Sequence, residues 1–325
     1  MFRKILICTA AILLSCTAAC GTEFSISDQF SKAHPITQAL YVFADKLSEL
    51  TNATLKARIV DSGALYTDAQ IIEALQDGQI EAGVVGINKW GGMVPPAEVF
   101  DLPFLFRSLQ APGKFIESGA GALLDAEFVQ NGVKNIFWLD YGFVQFWNNV
   151  HPLRKQADFT GLPLRTFSAC DAATLAALGA VPTMMSSSDV MKALDTGRVV
   201  GATTGISAGL QRGLHKECRY LTIANYCSSE FSVQANFKWY NSLMPFYQKA
   251  LLEAGKYAEL WLRKNLEIFD SHAADQARRT GIEINVLTPA ERDELAKATQ
   301  SVWQSYLRRS DETGKKLLDL ALQCQ

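Results

Sequence analysis

A long helical pattern near the C-terminal end constrains the fold more than any other feature of this sequence. From Met244 to Thr280 the pattern stays helical, and within this range no proline follows Pro245. A helix of about 37 residues would be about 55 Å long, which is longer than a typical domain is wide. We therefore expect a single helix that runs along two lobes.

Strand-like and helix-like segments alternate along the rest of the chain. A helical pattern in "HPITQALYVFADKLSEL" is followed by a strand pattern in "LKARIVDSG", a helix in "TDAQIIEALQDGQI" and a strand in "EAGVVGINKW". A second alternation starts at "LPLRTFS" and continues to "RVVGATT". This order is typical of α/β folds, in which ligands bind at the carboxyl ends of the strands. A length of 325 residues favours two such units.

Charge and the first residues indicate where the protein works. The net charge of -2, without a cluster of basic residues, argues against a nucleic-acid partner. Arg3 and Lys4 precede the apolar run "ILICTAAILL" and the small residues "SCTAAC", so we interpret residues 1–20 as a secretory signal. Cys16 or Cys20 could carry a lipid anchor, and simple cleavage of the signal is the alternative. Either way, we expect the mature chain to work outside the cytoplasm.

The remaining cysteines and histidines do not indicate a disulfide framework or a metal site. Cys170, Cys218, Cys227 and Cys324 match no known spacing for either, and the four histidines are scattered. We expect unpaired, mostly buried thiols, no metal and no cofactor.

The pentapeptide "GISAG" around Ser207 fits the nucleophile elbow of a serine hydrolase, since a strand pattern precedes it and a helix pattern follows. A hydrolase also needs an acid and then a histidine downstream. His215 and His272, however, both lie in predicted helices. The alternative is that Ser207 is structural and caps a helix.

Five segments occur together in a recognisable order and spacing. They are "FDLPFLFRS" (100–108), "WLDYGFVQFWNN" (138–149), "GLPLRTFSA" (161–169), "LGAVPTMMSSSDVMKALDTGRVVGA" (178–202) and "VQANFKWYNSL" (233–243). In this combination the chain resembles the extracytoplasmic substrate-binding proteins of TRAP transporters. The resemblance implies a two-lobed α/β clamshell of the periplasmic-binding-protein type. Lobe 1 would comprise 24–143 with about 229–255, and lobe 2 would comprise 144–228 with about 256–325.

The resemblance also implies a function. Such a protein captures a small molecule in the cleft between its lobes and delivers it to the membrane permease of a TRAP transporter, without being an enzyme. The lobes would close over the ligand by a hinge motion. A receptor that works with a periplasmic tetratricopeptide-repeat partner is the alternative, and a hydrolase that uses Ser207 is a more remote one.

One arginine carries the expected ligand contact. The resemblance implies that Arg165 forms a two-pronged salt bridge with a ligand carboxylate, because guanidinium geometry suits that planar anion. Val144 stands where the family has a second arginine, Thr204 where it has an asparagine, and Ser187 where some relatives have an aromatic residue. Since two groups that grip an anion have become smaller or apolar, we predict a hydrophobic or monocarboxylate ligand.

Further ligand contacts are predicted near strand ends and in the loops that follow them, although aromatic residues in strands more often belong to a core. These candidates are Gln145, Trp147, Phe167, Met184, His34, Asn88 and Trp90. An internal acid such as Asp140 could instead neutralise Arg165, and the ligand could then be uncharged.

Overall fold

A single mixed sheet runs through the part of the protein that the computed structural model describes, residues 22–325. The predicted signal, with Cys16 and Cys20, lies outside the described residues. Within them the strands are β1 (Thr22–Ser27), β2 (Leu55–Val60), β3 (Ala82–Gly86), β4 (Val133–Asn148), β5 (Pro163–Thr166), β6 (Val181–Met184), β7 (Gly201–Thr204), β8 (Tyr220–Asn236) and β9 (Glu283–Val286). Their order in the sheet is β2-β1-β3-β8-β4-β7-β5-β6, with β9 paired to β8.

Two long antiparallel strands connect the halves of this sheet. β4 and β8 pair from Val133 opposite Asn236 to Asn148 opposite Tyr220. At about 3.3 Å per residue, each covers about 50 Å. β3 pairs with β8 at one end of this two-stranded ribbon, and β7 pairs with β4 at the other end. Both lobes are therefore built onto the same two strands. The pairing is irregular near Gly142, whose positive φ of 94° suits glycine and lets the ribbon bend between the lobes.

Helices cover both faces of the sheet. They are α1 (Pro35–Leu50), α2 (Ile71–Gln76), α3 (Ala111–Phe115), α4 (Gly121–Gln130), α5 (Ala169–Leu178), α6 (Val190–Asp195), α7 (Ile206–Arg212), α8 (Leu214–Glu217), α9 (Phe237–Ser242), α10 (Pro245–Arg279), α11 (Pro289–Ala298), α12 (Gln300–Arg309) and α13 (Glu312–Gln323). The α/β alternation predicted from the sequence is thereby confirmed.

The long helix α10 is continuous over 35 residues and starts at a proline, whose fixed φ suits the first helical turn. Its first half packs Leu251 and Leu262 into the cluster built around α1. Its second half contributes Ala273 and Ala277 to another cluster, which also contains residues of α6, α7 and α8. The prediction of one helix along both lobes is confirmed.

The C-terminal helices contact both parts of the chain that were expected to form lobes. Tyr306 of α12 and Leu317 of α13 are buried in the same cluster as Trp90 and Phe100, which belong to the part expected to form lobe 1. α12 also packs against α5, which belongs to the part expected to form lobe 2. We propose that residues 300–325 join lobe 1 and keep this contact with lobe 2.

The described residues also bear on the thiols and on membrane or metal contacts. Within residues 22–325, Cys170, Cys218 and Cys227 are buried and unpaired, and Cys324 is unpaired and half-buried. No helix in this range combines the length and apolarity needed to cross a bilayer. No group of three or more metal-ligating side chains occurs in it.

Candidate functional site

A narrow cavity of about 30 Å³ lies between the lobes. Its lining residues are Gln29, Phe30, Asp68, Asn88, Lys89, Tyr141, Val144, Arg165, Phe167, Ser187, Thr204, Arg212, Ser229 and Phe231. Gln29 follows β1, Asn88 follows β3, Phe167 follows β5 and Thr204 ends β7. These strands bring their carboxyl ends to one place, as expected for ligand sites in α/β folds. A wider space of about 270 Å³ adjoins the cavity at Gln29, Phe30, Asp68, Ser187 and Arg212.

The side chain of Arg165 is buried at the end of β5, with only 1% of its surface exposed. Its Nε and Nη2 atoms donate to the carbonyl oxygen of Met185 at 3.3 and 3.2 Å, and Nη1 donates to that of Thr203 at 3.0 Å. Nη2 also lies 3.4 Å from the hydroxyl of Ser187. Burial, and then the charge of Arg212, lowers the pKa of Arg165 to about 10. Arg165 therefore stays charged at neutral pH.

No carboxylate within residues 22–325 forms an ion pair with Arg165. Asp140, the acid considered above for that role, instead binds Arg263 of α10, with distances of 2.8 Å to Nε and 3.2 Å to Nη2. The alternative in which Asp140 neutralises Arg165 is therefore wrong. The reason is that α10 lies against β4 on the face where Asp140 points.

A second guanidinium reaches the cavity from the end of α7. Arg212 is half-buried, and its Nη1 donates to the hydroxyl of Thr204 at 3.2 Å. Its guanidinium carbon lies 5.9 Å from the centre of the Phe30 ring, a cation–π arrangement. No ion pair joins Arg212 to an acid in the described range. The sequence analysis missed Arg212, because a basic residue at a helix end usually only complements the helix dipole.

An ion pair on one side of the cavity is hydrogen-bonded to the other side. Lys89 Nζ lies 2.8 Å from Asp68 Oδ2 and 3.0 Å from the carbonyl oxygen of Phe167. Asp68 also accepts hydrogen bonds from the hydroxyl of Ser186 and, at 3.3 Å, from the backbone N–H of Ser187. Burial alone would raise the pKa of Asp68, but Lys89 and Ser186 hold it below its usual value. These contacts close the cavity on one side. The Lys89–Asp68 pair that makes them has no net charge.

Aromatic side chains form a further part of the cavity wall. Ring centres are 5.1 Å apart for Phe30 and Phe231, and 5.3 Å apart for Tyr141 and Phe231. The hydroxyl of Tyr141 lies 2.9 Å from that of Thr204 and accepts the backbone N–H of Gly205 at 2.9 Å. The polar atom of Tyr141 is thus occupied, and its ring presents an apolar surface.

The structure brings six of the predicted site residues to the cavity. These are Asn88, Val144, Arg165, Phe167, Ser187 and Thr204. Other lining residues escaped the sequence analysis, namely Gln29, Phe30, Asp68, Lys89, Tyr141, Arg212, Ser229 and Phe231. Gln29 and Phe30 directly follow the first strand, a position that could have revealed them.

The other five predicted residues do not line the cavity and are therefore not part of the proposed site. Trp147 is fully buried against Gly209, and the Nε1–H of Trp90 donates to Gln234. Gln145 accepts the N–H groups of two residues of β8, which satisfies the irregular pairing there. His34 caps α1 through Nδ1 and stacks behind Phe30 at 4.0 Å. Met184 is 64% exposed on the surface. Packing, caps and strand pairing therefore use all of these side chains except that of Met184.

Ser207 does not have the environment of a hydrolytic nucleophile. It is the second residue of α7, whose N-cap is Gly205, so the predicted capping role is also wrong. No hydrogen bond joins Ser207 to a histidine among the described residues. The strand–turn–helix pattern that suggested an elbow serves instead to place Thr204 and Arg212 at the cavity.

Comparisons with known proteins agree with this architecture. The family model described as DctP, bacterial extracellular solute-binding protein, family 7, matches residues 26–310. The C4-dicarboxylate-binding protein DctB of Bacillus subtilis is 26% identical over 285 residues, which cover 87% of this chain and 81% of DctB. The C4-dicarboxylate-binding periplasmic protein DctP of Rhodobacter capsulatus is 30% identical over 222 residues, 66% of each protein.

Two solved structures have the same fold. The sugar acid binding protein DctPAm of Advenella mimigardefordensis, in complex with galactonate, superposes with a TM-score of 0.90 at 22% identity, and the match covers 94% of this chain and 99% of that one. DctP7, an extracytoplasmic solute receptor of Bordetella pertussis that binds pyroglutamic acid, gives a TM-score of 0.88 at 22% identity, with coverage of 93% and 99%.

Proposed function

Because the chain belongs to bacterial extracellular solute-binding protein family 7, we propose that it captures a small monocarboxylate between its lobes and delivers it to a TRAP-type permease. The family consists of solute receptors, and the cavity lies at the strand ends where an α/β receptor is expected to hold its ligand.

The burial of Arg165 without an acidic partner carries this proposal. A buried charge costs several kcal/mol unless an opposite charge and hydrogen bonds compensate it. Within residues 22–325 its hydrogen bonds go only to neutral carbonyl and hydroxyl groups, and Asp68 and Asp171 favour its charge without forming a direct ion pair with it. A ligand carboxylate would provide the missing negative charge.

The charge balance of the lining supports an anion over a neutral molecule. The cavity carries Arg165, Arg212 and Lys89 against Asp68 alone, so three positive charges minus one negative charge leave +2. An uncharged lipophilic ligand would leave that charge buried. The named relatives and structures also bind acids, namely C4-dicarboxylates, galactonate and pyroglutamic acid.

The rest of the lining supports an apolar body on that acid. Val144, Phe30, Phe167 and Phe231 surround the space beyond the guanidinium groups. Each apolar fragment of side-chain size that becomes buried there contributes about 1.5–3 kcal/mol. An aliphatic or aromatic monocarboxylate therefore fits better than a small diacid, whose second carboxylate would face these apolar groups.

Matched acid and amide pairs test the proposal. Native mass spectrometry of the untreated protein first identifies any bound molecule. The protein is then unfolded and refolded to remove it. Calorimetry then compares phenylacetate, hexanoate and lactate with their primary amides, and with succinate. We expect phenylacetate or hexanoate to bind at least about 100-fold more tightly than its amide, since each charge-assisted hydrogen bond contributes about 1.5–3 kcal/mol.

Equal binding of acid and amide in every pair would refute an anion site, and tighter binding of succinate would refute the preference for monocarboxylates. A tetratricopeptide-repeat partner and lipidation of Cys16 or Cys20 stay predictions from the sequence.

A further inference from the structure

The hydrogen bonds of Arg165 leave it poorly equipped to hold a carboxylate by itself. A guanidinium has five N–H groups. Four of those of Arg165 are directed to Met185, Thr203 and Ser187, and the Nε and Nη2 edge is taken up by a single carbonyl oxygen. One N–H on Nη1 remains, whereas a bidentate contact to a carboxylate needs two parallel N–H groups.

Arg212 has the donors that Arg165 lacks. Its one hydrogen bond within the described residues goes from Nη1 to Thr204, which leaves four of its five N–H groups. Its ring contact with Phe30 orients the guanidinium plane without using any of them.

The two guanidinium groups bind neighbouring residues of β7. Arg165 binds the carbonyl oxygen of Thr203 and Arg212 binds the hydroxyl of Thr204, and consecutive Cα atoms are about 3.8 Å apart. Both line the same cavity, with no described carboxylate paired to either. Two like charges held this close are stabilised when an anion lies between them.

We propose that Arg212 is a second carboxylate-binding residue of this receptor and contributes to its specificity for acids. This inference rests on the proposed function. Arg212 offers its free N–H groups to the carboxylate from α7, and Arg165 adds its charge and its remaining N–H group from β5. The second arginine is therefore not absent from the site, although Val144 occupies its expected place on β4. It comes from a different element, on the lobe 2 side of the cavity.

The test compares phenylacetate with phenylacetamide, and hexanoate with hexanamide, in wild type, Arg212→Gln and Arg212→Lys. Arg219→Gln is the matched control, because it removes the same charge from an exposed position outside the cavity. For Arg212→Gln we expect the affinity for the acids to fall by about 100-fold and the affinity for the amides to change little. Arg212→Lys keeps the charge but removes the planar guanidinium with its parallel N–H groups, so we expect an intermediate loss of affinity for the acids, about 10-fold.

Circular dichroism and the midpoint of thermal unfolding establish that each variant is folded. If Arg212→Gln retains the wild-type preference for acids over amides, the inference is overturned while the proposed function stands. If wild type itself shows no such preference in any pair, the proposed function fails, and the role of Arg212 fails with it. A loss as large in Arg219→Gln would also overturn the inference, since a general change of charge would then explain the effect.

Discussion

The two sides of the cavity present different chemistry. The side built from β5, β7 and α7 carries Arg165 and Arg212, which have no acidic partner among residues 22–325. The side built from the loops after β1, β2 and β3 carries Phe30 and a lysine that Asp68 already neutralises. The first side therefore provides the attraction for an anion, and the second provides shape and the contacts that close the cavity. The same strand-end position serves recognition on one side and closure on the other.

Loss of Arg165 should have the largest effect, because this residue supports both the ligand and its own lobe. For Arg165→Met we expect about 1,000-fold weaker binding of phenylacetate. We also expect a loss of about 3 kcal/mol in the free energy of unfolding, as the carbonyl groups of Met185 and Thr203 lose their donors. Calorimetry and urea unfolding measure the two effects. Arg198→Met, at an exposed position, is the control. If Arg165→Met still binds phenylacetate as tightly as wild type, the assignment of anion recognition to this side of the cavity is wrong.

The closing side can be tested through its ion pair. In Lys89→Met the buried Asp68 loses its cation, so we expect about 10- to 100-fold weaker ligand binding and a stability loss of about 1–3 kcal/mol at neutral pH. The double variant Asp68→Asn/Lys89→Met removes both charges and should recover most of the stability.

The sign of the pH dependence follows from the lowered pKa of Asp68 in the folded wild type. The charge of Asp68 stabilises the fold at pH values above 3.8, the pKa of this group in the unfolded chain. This stabilisation is lost as the pH falls through the lower pKa of the folded protein. The deficit of Lys89→Met should therefore shrink at acidic pH. A deficit that stays constant from pH 7 to pH 3 would contradict the assignment of the pair to closure.

A second buried contact between the two sides titrates in the opposite direction. Asp101 accepts hydrogen bonds from Asn88 at 3.2 Å and from Ser168 at 2.6 Å, and burial raises its pKa to about 7. Its folded pKa lies above the unfolded value, so stability is highest at low pH and decreases as the pH rises toward 7. In Asp101→Asn we expect the fall in unfolding free energy from pH 5 to pH 8 to be smaller by about 2 kcal/mol. Urea unfolding at both pH values measures it. Exposed Asp77→Asn should keep the wild-type slope.

The smallest effect is expected at Ser207. It neither caps α7 nor lines the cavity, so Ser207→Ala should change stability by less than about 0.5 kcal/mol and leave the affinity for phenylacetate unchanged. Wild-type protein should not react with a fluorophosphonate probe. Covalent labelling at Ser207 would restore the hydrolase interpretation.

Features with a local cause could be read from the sequence. The helical period and the position of Pro245 predicted α10, and the alternation of strand and helix patterns predicted the sheet. The resemblance to the substrate-binding proteins of TRAP transporters pointed to Arg165 and Thr204, and both line the cavity. The helix and strand patterns work because backbone hydrogen bonding and the burial of one face repeat over short distances along the chain.

The tertiary structure alone decided which of the polar and aromatic candidates meet in the cavity. A buried aromatic residue has the same pattern whether it packs in a core, as Trp147 does, or lines a cavity, as Phe167 does. The partner of Asp140 is Arg263, 123 positions away, and no local pattern predicts such a pair. Arg212 reaches the cavity only because α7 begins where β7 ends. Long-range packing sets these pairings, since each charge is bound by whichever group the folded lobes bring within a few ångströms of it.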